Sequence, residues 1–389
     1  MRKLLKAYKA EIKPSEEQVT KIHKTIGVSR YIYNFYLSKN KEVYQHEKKF
    51  MSANDFSKWL NNEFIPNNDN YKWIKEVSSK AVKKAIVNAE TAFKRFFKGQ
   101  SKFPRYKKKK NQDVKVYFPK NNSTDWTTER HRIKIPTFGW VRLKEFGYIP
   151  TNANVKSGTV SHKAGRYYVS VLCELESTHQ QIKLNDIGLG IDLGIKEFAF
   201  RSDGISHTNI NKTVKVKKLE KKLRREQRSL SRKYENIKKR GEKSASKRAN
   251  INKNIIRVQK LHARLSNIRV EYVKSVVDEM VKTKPKYITI EDLNVRGMMK
   301  NRHLSKAIAQ QCFYTFKLWL VANCKKYGIE LRQVDRFYPS SKICSCCGQI
   351  KKDLKLSDRV YECDCGNVID RDLNASINLL QTNEYIILT

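Results

Sequence analysis

The sequence predicts an α/β multidomain protein, on three observations. Apolar residues follow a helical period through the first hundred residues, a period of two from about 103 to 175, and mixed strand and helix patterns from 186 onward. A chain of 389 residues is long enough for two or three domains with real cores. Its 39% hydrophobic and 10% aromatic content argues against wholesale disorder, although 81 Lys and Arg face only 38 Asp and Glu. The resulting charge of +43 opposes compaction and calls for a polyanionic partner, nucleic acid first and a membrane surface second. No stretch of 18 apolar residues is present to form a spanning helix. Met1 to Ala7 lacks the apolar core of a secretion signal, so the chain is expected to stay in the cytoplasm.

Tyr8, Ala10 and Ile12 alternate with charged residues and predict a strand. Ser15 and Gln18 have capping-box spacing and open a helix with Val19, Ile22 and Ile26 on one face, which Gly27 is expected to interrupt. Residues 61–70 read as a turn-rich break. A helix from Ser79 to Phe97 turns Val82, Ile86, Ala89, Phe93 and Phe96 inward, with Lys80, Lys83, Lys84 and Lys94 opposite. Short strands follow around Ile133, Val141 and Tyr168, with Ala164-Gly165 as a hairpin turn. Strands are predicted at 187–192 and 196–201, then a third after Asp203-Gly204, before two long basic helices. Residues 287–291 form a buried strand, 306–327 a helix, 329–334 a strand, and a last helix starts near Asp372. Trp59, Trp73, Trp140 and Trp319 are expected in cores, and His131, His162, His207, His262 and His303 show no ligand spacing.

Carboxylates at strand ends stand out in so basic a chain. Asp192 ends an apolar strand in Gly190-Ile191-Asp192-Leu193-Gly194, and Glu291 ends the next core strand. Asp370 and Asp372 flank Arg371 where the last helix begins. Any one of them alone suits a cap or a strand terminus. Several on successive core elements suit Mg²⁺, which prefers hard oxygen donors. Gly188 to Gly194 resembles a dinucleotide fingerprint, but its spacing is one residue too long and it lies within strands instead of opening a helix. No Walker A sequence is present to support ATP-driven activity.

Five of the eight cysteines lie between Cys344 and Cys365. In a cytosolic chain that clustering predicts a structural zinc site. Cys344, Cys347, Cys363 and Cys365 are the best ligand set, although Cys363-Asp364-Cys365 is one residue short of a usual knuckle and Cys346 stands as a substitute. Between Lys212 and Arg240, 14 Lys and Arg face 3 acids, so like charges repel along the helix unless phosphates neutralise them. Lys217, Lys218, Lys221, Arg224, Arg225 and Arg228 are the nucleic-acid candidates there. Lys107 and Lys108 head a second run, through Lys110, beside Phe103 and Tyr106.

The order of Gly190-Ile191-Asp192, Ile290-Glu291-Asp292, the cysteine pairs and Asp370-Arg371-Asp372-Leu373-Asn374 resembles the TnpB family. These are transposon-encoded RNA-guided DNA endonucleases related to type V CRISPR effectors. Arg30-Tyr31-Ile32-Tyr33-Asn34, Ala92 to Phe97 and Phe103-Pro104-Arg105-Tyr106 extend the likeness across the chain. The resemblance implies an RNase H-like (RuvC) nuclease from residue 184 to 389 with an inserted zinc ribbon at 340–369. It implies a helical recognition region at 13–100 and a β-barrel wedge from 1–12 and 101–183. It implies Asp192, Glu291 and Asp372 as catalytic acids holding two Mg²⁺ ions, Asp372 being chosen over Asp370 because it precedes x-Asn. Its implied partners are a guide RNA from the transposon end and duplex target DNA beside a short adjacent motif, with Lys80 and Lys83 as candidates there. The expected complex is a monomer bound to RNA, associated with the nucleoid and not with a membrane. Two other readings use the same residues: a nuclease-inactive regulator of transposition, and a compact type V CRISPR effector.

Overall fold

The computed structural model describes residues 3–108, 114–120, 122, 125–151, 153–176, 183–240, 245–355 and 358–389. Lys109 and Lys110 of the second basic run lie outside them. The chain divides into two compact units, Met1–Thr178 and His179–Thr389.

In the first unit, β1 (Lys3–Lys13) leads into α1 (Glu16–Glu47), whose start carries the full Ser15/Gln18 capping box. Gly27 does not interrupt α1. Ile22, Ile26, Val28 and Ile32 are buried on either side of it, and a lone helical glycine costs only about 1 kcal/mol, less than that packing supplies. After α2 (Ala53–Trp59) the expected break at 61–70 is largely helical: a π turn at Leu60–Phe64 and a 3₁₀ segment at Asp69–Glu76 bury Leu60, Ile65 and Ile74. α3 (Ser79–Phe97) then buries Val82, Ile86, Ala89 and Phe93 in an aromatic core with Tyr36 and Phe56.

Six strands complete this unit: β2 (Val114–Pro119), β3 (Thr127–Thr128), β4 (Arg132–Ile135), β5 (Gly139–Leu143), β6 (Asn154–Lys163) and β7 (Arg166–Glu176). Their order is β2-β6-β7-β1-β5-β4-β3. β1 pairs antiparallel with β7 from Lys3↔Glu176 to Ile12↔Tyr167 and then with β5, so the N-terminal strand sits centrally in the sheet. Among the described residues no pairing joins β2 to β3, so the expected barrel is an open seven-stranded sheet. β3, two residues long, offers little edge on which to close it. Trp140 departs from its expected core place: it is exposed, with the Arg132 guanidinium 4.5 Å from its ring centre.

The second unit begins with an antiparallel meander, β8 (Leu189–Leu193), β9 (Glu197–Arg201) and β10 (Ser206–Thr208), its second turn made by Gly204 at φ 85°. α4 (Val214–Arg240) and α5 (Ala245–Lys282) pack on each other through Val216, Leu223, Leu261 and Leu265. β11 (Tyr287–Ile290) returns parallel to β8. α6 (Val295–Met298), α7 (Ser305–Gln311) and α8 (Phe313–Tyr327) follow, then β12 (Glu330–Gln333), parallel to β11. The single helix expected over 306–327 is two, broken at Cys312, whose φ is 58°. At the break, the Gln311 amide donates to the carbonyls of Gly194 and Ile195. The hairpin β13 (Val360–Glu362) and β14 (Val368–Asp370) runs into α9 (Arg371–Gln381), and β15 (Ile386–Ile387) adds an edge the pattern did not foretell. The sheet order is β10-β9-β8-β11-β12-β15. Val273, Val277 and Met280 of α5 and Phe316 and Leu320 of α8 pack with the strands in one core.

Candidate active site and metal centre

Asp192 lies in β8 beside Phe200 of β9. The parallel register sets Ile191 opposite Ile290, so Glu291, one residue on, emerges at the same sheet end as Asp192. The third acid comes from α9, which touches β8 at backbone distance. A Cβ on Gly190 would stand 1.9 Å from the Ser376 carbonyl oxygen and 2.6 Å from the Leu380 nitrogen, so only glycine fits there. Asp370 caps α9, accepting from the N–H groups of Asp372 and Leu373 at 2.9 and 3.2 Å, which leaves Asp372 in the first turn to face the sheet acids.

Burial, and then the carboxylates of Glu291 and Asp372, push the Asp192 carboxyl well above the usual carboxylate range; Arg371 and the Leu193 backbone oppose this. Burial raises Glu291 as well, against a hydrogen bond donated by the Ser340 hydroxyl. Asp372 has Arg371 Nε at 3.9 Å and Arg359 Nη1 at 4.0 Å. Asp192 thus feels both of the other acids. Among the described residues, only the four-cysteine group has its ligand atoms all within 4.8 Å of one another. A cluster of hard oxygen donors has the chemistry of a divalent-cation site.

Cys344, Cys347, Cys363 and Cys365 converge, with Sγ separations of 3.7 Å for Cys344–Cys365 and for Cys347–Cys363. A tetrahedron of Zn–S bonds has edges of about 3.8 Å. Cys346 is exposed and outside the group. The backbone closes each pair: Gly348 N donates to Cys344 O, Gly366 N to Cys363 O, and both glycines have positive φ. Burial works against ionising Cys344, yet the Cys347 backbone and the Asn367 amide outweigh it and lower the thiol to about 6.

The cysteine module and the acids are mechanically joined. The β13–β14 hairpin that carries Cys363 at its tip ends at Asp370, the cap of α9. From α9, Asn374 bonds Ile343 O and Ser345 N, while Asn378 bonds Ser340 O and Ile343 O. Ser340, the partner of Glu291, is therefore held by the same helix that carries Asp372. Sequence reasoning missed Ser340 and Asn378. Asn374 served it only as a marker for Asp372.

The six cations singled out on α4 (Lys217, Lys218, Lys221, Arg224, Arg225 and Arg228) are all exposed. None forms an ion pair with a carboxylate among the described residues. Five of them line a groove that also takes in Lys222 and Arg232. Lys83 is exposed, whereas Lys80 is bound to both oxygens of Asp125 at 2.7 and 2.8 Å. Lys107 and Lys108 line a 210 Å³ cavity with Arg30, Lys84 and Lys115. The Lys107 ammonium lies 3.7 Å from the Tyr33 ring centre, and burial lowers its pKa.

Three protein-family models match this chain: "Probable transposase" over residues 170–302, "Helix-turn-helix domain" over 1–49, and "Cas12f1-like, TNB domain" over 313–379. Over the described residues 3–49 the structure has a strand and one unbroken helix. A Streptomyces pristinaespiralis protein named "Putative RNA-guided DNA endonuclease" is 30% identical over 98% of this chain and 90% of its own. An Escherichia coli (strain K12) protein named "Putative RNA-guided DNA endonuclease InsQ" is 28% identical over 99% of this chain and 94% of its own. The Cas12f1 chain of a cryo-EM complex with sgRNA and target DNA superposes with a TM-score of 0.57 at 14% identity, covering 97% of this chain and 99% of that one, a likeness of fold. Near-complete coverage at 30% identity, with the family models spread from end to end, means that the chain belongs to the TnpB family.

Proposed function

We propose that this protein is an RNA-guided DNA endonuclease that cuts duplex DNA beside a short adjacent motif. The observation that carries the reading is the electrostatic convergence of Asp192, Glu291 and Asp372 at one end of the second sheet. The order of that sheet, an antiparallel meander followed by parallel strands, supports an RNase H-like (RuvC) nuclease over 184–389. Asp192, Glu291 and Asp372 would hold two Mg²⁺ ions, which would supply water activation and stabilisation of the leaving 3′-oxygen. Ser340 fixes the Glu291 carboxylate by donating to it, and the Asp370 cap fixes Asp372. The four thiolates would hold a structural zinc ion and leave it no free coordination position for substrate.

Residues 13–100 serve as the recognition region, with residues 1–12 and 101–183 as the wedge. The exposed cations of α4 take nucleic-acid phosphates, and the cavity at Lys107 and Lys108 is a second cationic site. Base pairing with a guide RNA from the transposon end selects the target, and the protein reads duplex shape and the adjacent motif. Lys83 is freer than Lys80 to meet that motif, since Lys80 is engaged by Asp125. The RNA complex acts as a monomer in the cytoplasm, at the nucleoid. The deciding experiment purifies the protein with its bound RNA, sequences that RNA, and supplies matched plasmid DNA with Mg²⁺. Cleavage supports the proposal; tight binding without cleavage points instead to a regulator of transposition.

A further inference from the structure

Phe337 is 86% exposed, more than any other large apolar side chain among the described residues. Its neighbours are fixed. Arg336 donates to Asp292 through Nε and Nη2 at 3.1 and 2.5 Å, the Phe337 N–H donates to Asp335 Oδ1 at 2.8 Å, and Tyr338 is half-buried with its N–H on Asp335 O. Three residues on, Ser340 is buried and bonds Glu291. The ring therefore projects from a short loop tied on one side to Asp292 and on the other to Glu291, adjacent positions at the acidic end of the sheet.

We propose that Phe337 is a stacking platform for an unpaired nucleobase of the strand being cut, a contact that rests on the nuclease reading above. A phenyl ring offers no hydrogen-bond group, so it reads no sequence and accepts any base by its face. A base within a duplex already has its faces covered, so the ligand is a base splayed from its neighbours. A protein partner fits less well: one ring is far from the area a stable protein interface buries, and the net charge of +43 selects polyanions. The loop holds the base, and with it the adjacent phosphodiester, beside Glu291. Phe337 is thus a positioning residue.

The test uses the protein loaded with guide RNA. In an Asp192→Ala background, which keeps the DNA uncut, 2-aminopurine is placed in turn at successive positions around the cut. One position should differ in emission between Asp192→Ala and the Asp192→Ala/Phe337→Ala double variant; equal emission at every position overturns the proposal. In single-turnover cleavage Phe337→Ala should be slowed roughly tenfold or more, while Phe337→Trp stays within about twofold of wild type. An alanine variant as fast as wild type, or a tryptophan variant as slow as the alanine one, also overturns it. If wild-type protein cuts no matched DNA, the proposed function falls, while the fluorescence comparison still decides the contact.

Discussion

Cys363 and Cys365 are one residue closer together than a usual knuckle pair, yet both sulfurs reach the cluster because Gly366 takes a φ of 84° immediately after them. The local geometry separates Cys346 from its neighbours as sequence spacing did not. Cys363→Ser should lose stoichiometric zinc and, through the hairpin that ends at Asp370, weaken cleavage as well as stability. Cys346→Ser should keep one zinc per chain, as metal analysis of the purified variants would show; loss of zinc from the Cys346 variant would put the ligand set in error. Asp192 and Glu291 stood out in the sequence because each ends an apolar strand, and Asp372 because it opens the last helix. Choosing Asp372 over Asp370 came from the family resemblance, and the structure supplies a physical reason to separate them, since Asp370 is spent on the cap. Ser340 was not legible: a serine after proline reads as a turn until Glu291 is seen at its hydroxyl.

Elements carry the next level of constraint, and α9 is the one on which the site depends. It lies on β8 at Gly190 and bonds the loops carrying Ser340 and Cys344 through Asn374 and Asn378. Gly190→Ala must push the helix backbone away, because the nearest atoms are a main-chain oxygen and nitrogen. The expected cost is about 3 kcal/mol, the upper end of what overpacking produces, seen as a lower urea midpoint with a marked loss of cleavage. A variant as stable and active as wild type would refute this account of the close approach. Periodicity found α3 and most strands of both sheets because their apolar faces are regular. It failed where tertiary contacts override local preference: helix continues through Gly27 and much of 60–76, and breaks at Cys312 beside the Gln311 bonds to Gly194 and Ile195. β15 was illegible because two exposed isoleucines carry no period.

Across the whole molecule, the chain carries a surplus of 43 positive charges, and the six singled-out cations of α4 are exposed. Such a surface binds polyanions by releasing their counterions, so RNA affinity should fall steeply with salt. Replacing Lys218, Lys221, Arg225 and Arg228 with glutamine should flatten the slope of log affinity against log salt by about 3, at roughly 0.7 to 0.9 for each phosphate left without its cation. Titration of labelled guide RNA across a potassium chloride series measures it, and an unchanged slope would remove α4 from the interface. Composition announced the polyanion but not the open first sheet, because whether strand ends pair is decided by residues far apart in sequence. The central claim is that Asp192, Glu291 and Asp372 form one nuclease centre. Its most direct test compares wild-type and Asp192→Ala protein, each carrying guide RNA, on matched DNA with Mg²⁺. Equal RNA binding and no cleavage by the variant are expected; cleavage by Asp192→Ala at the wild-type rate would contradict a nuclease centre built on these acids.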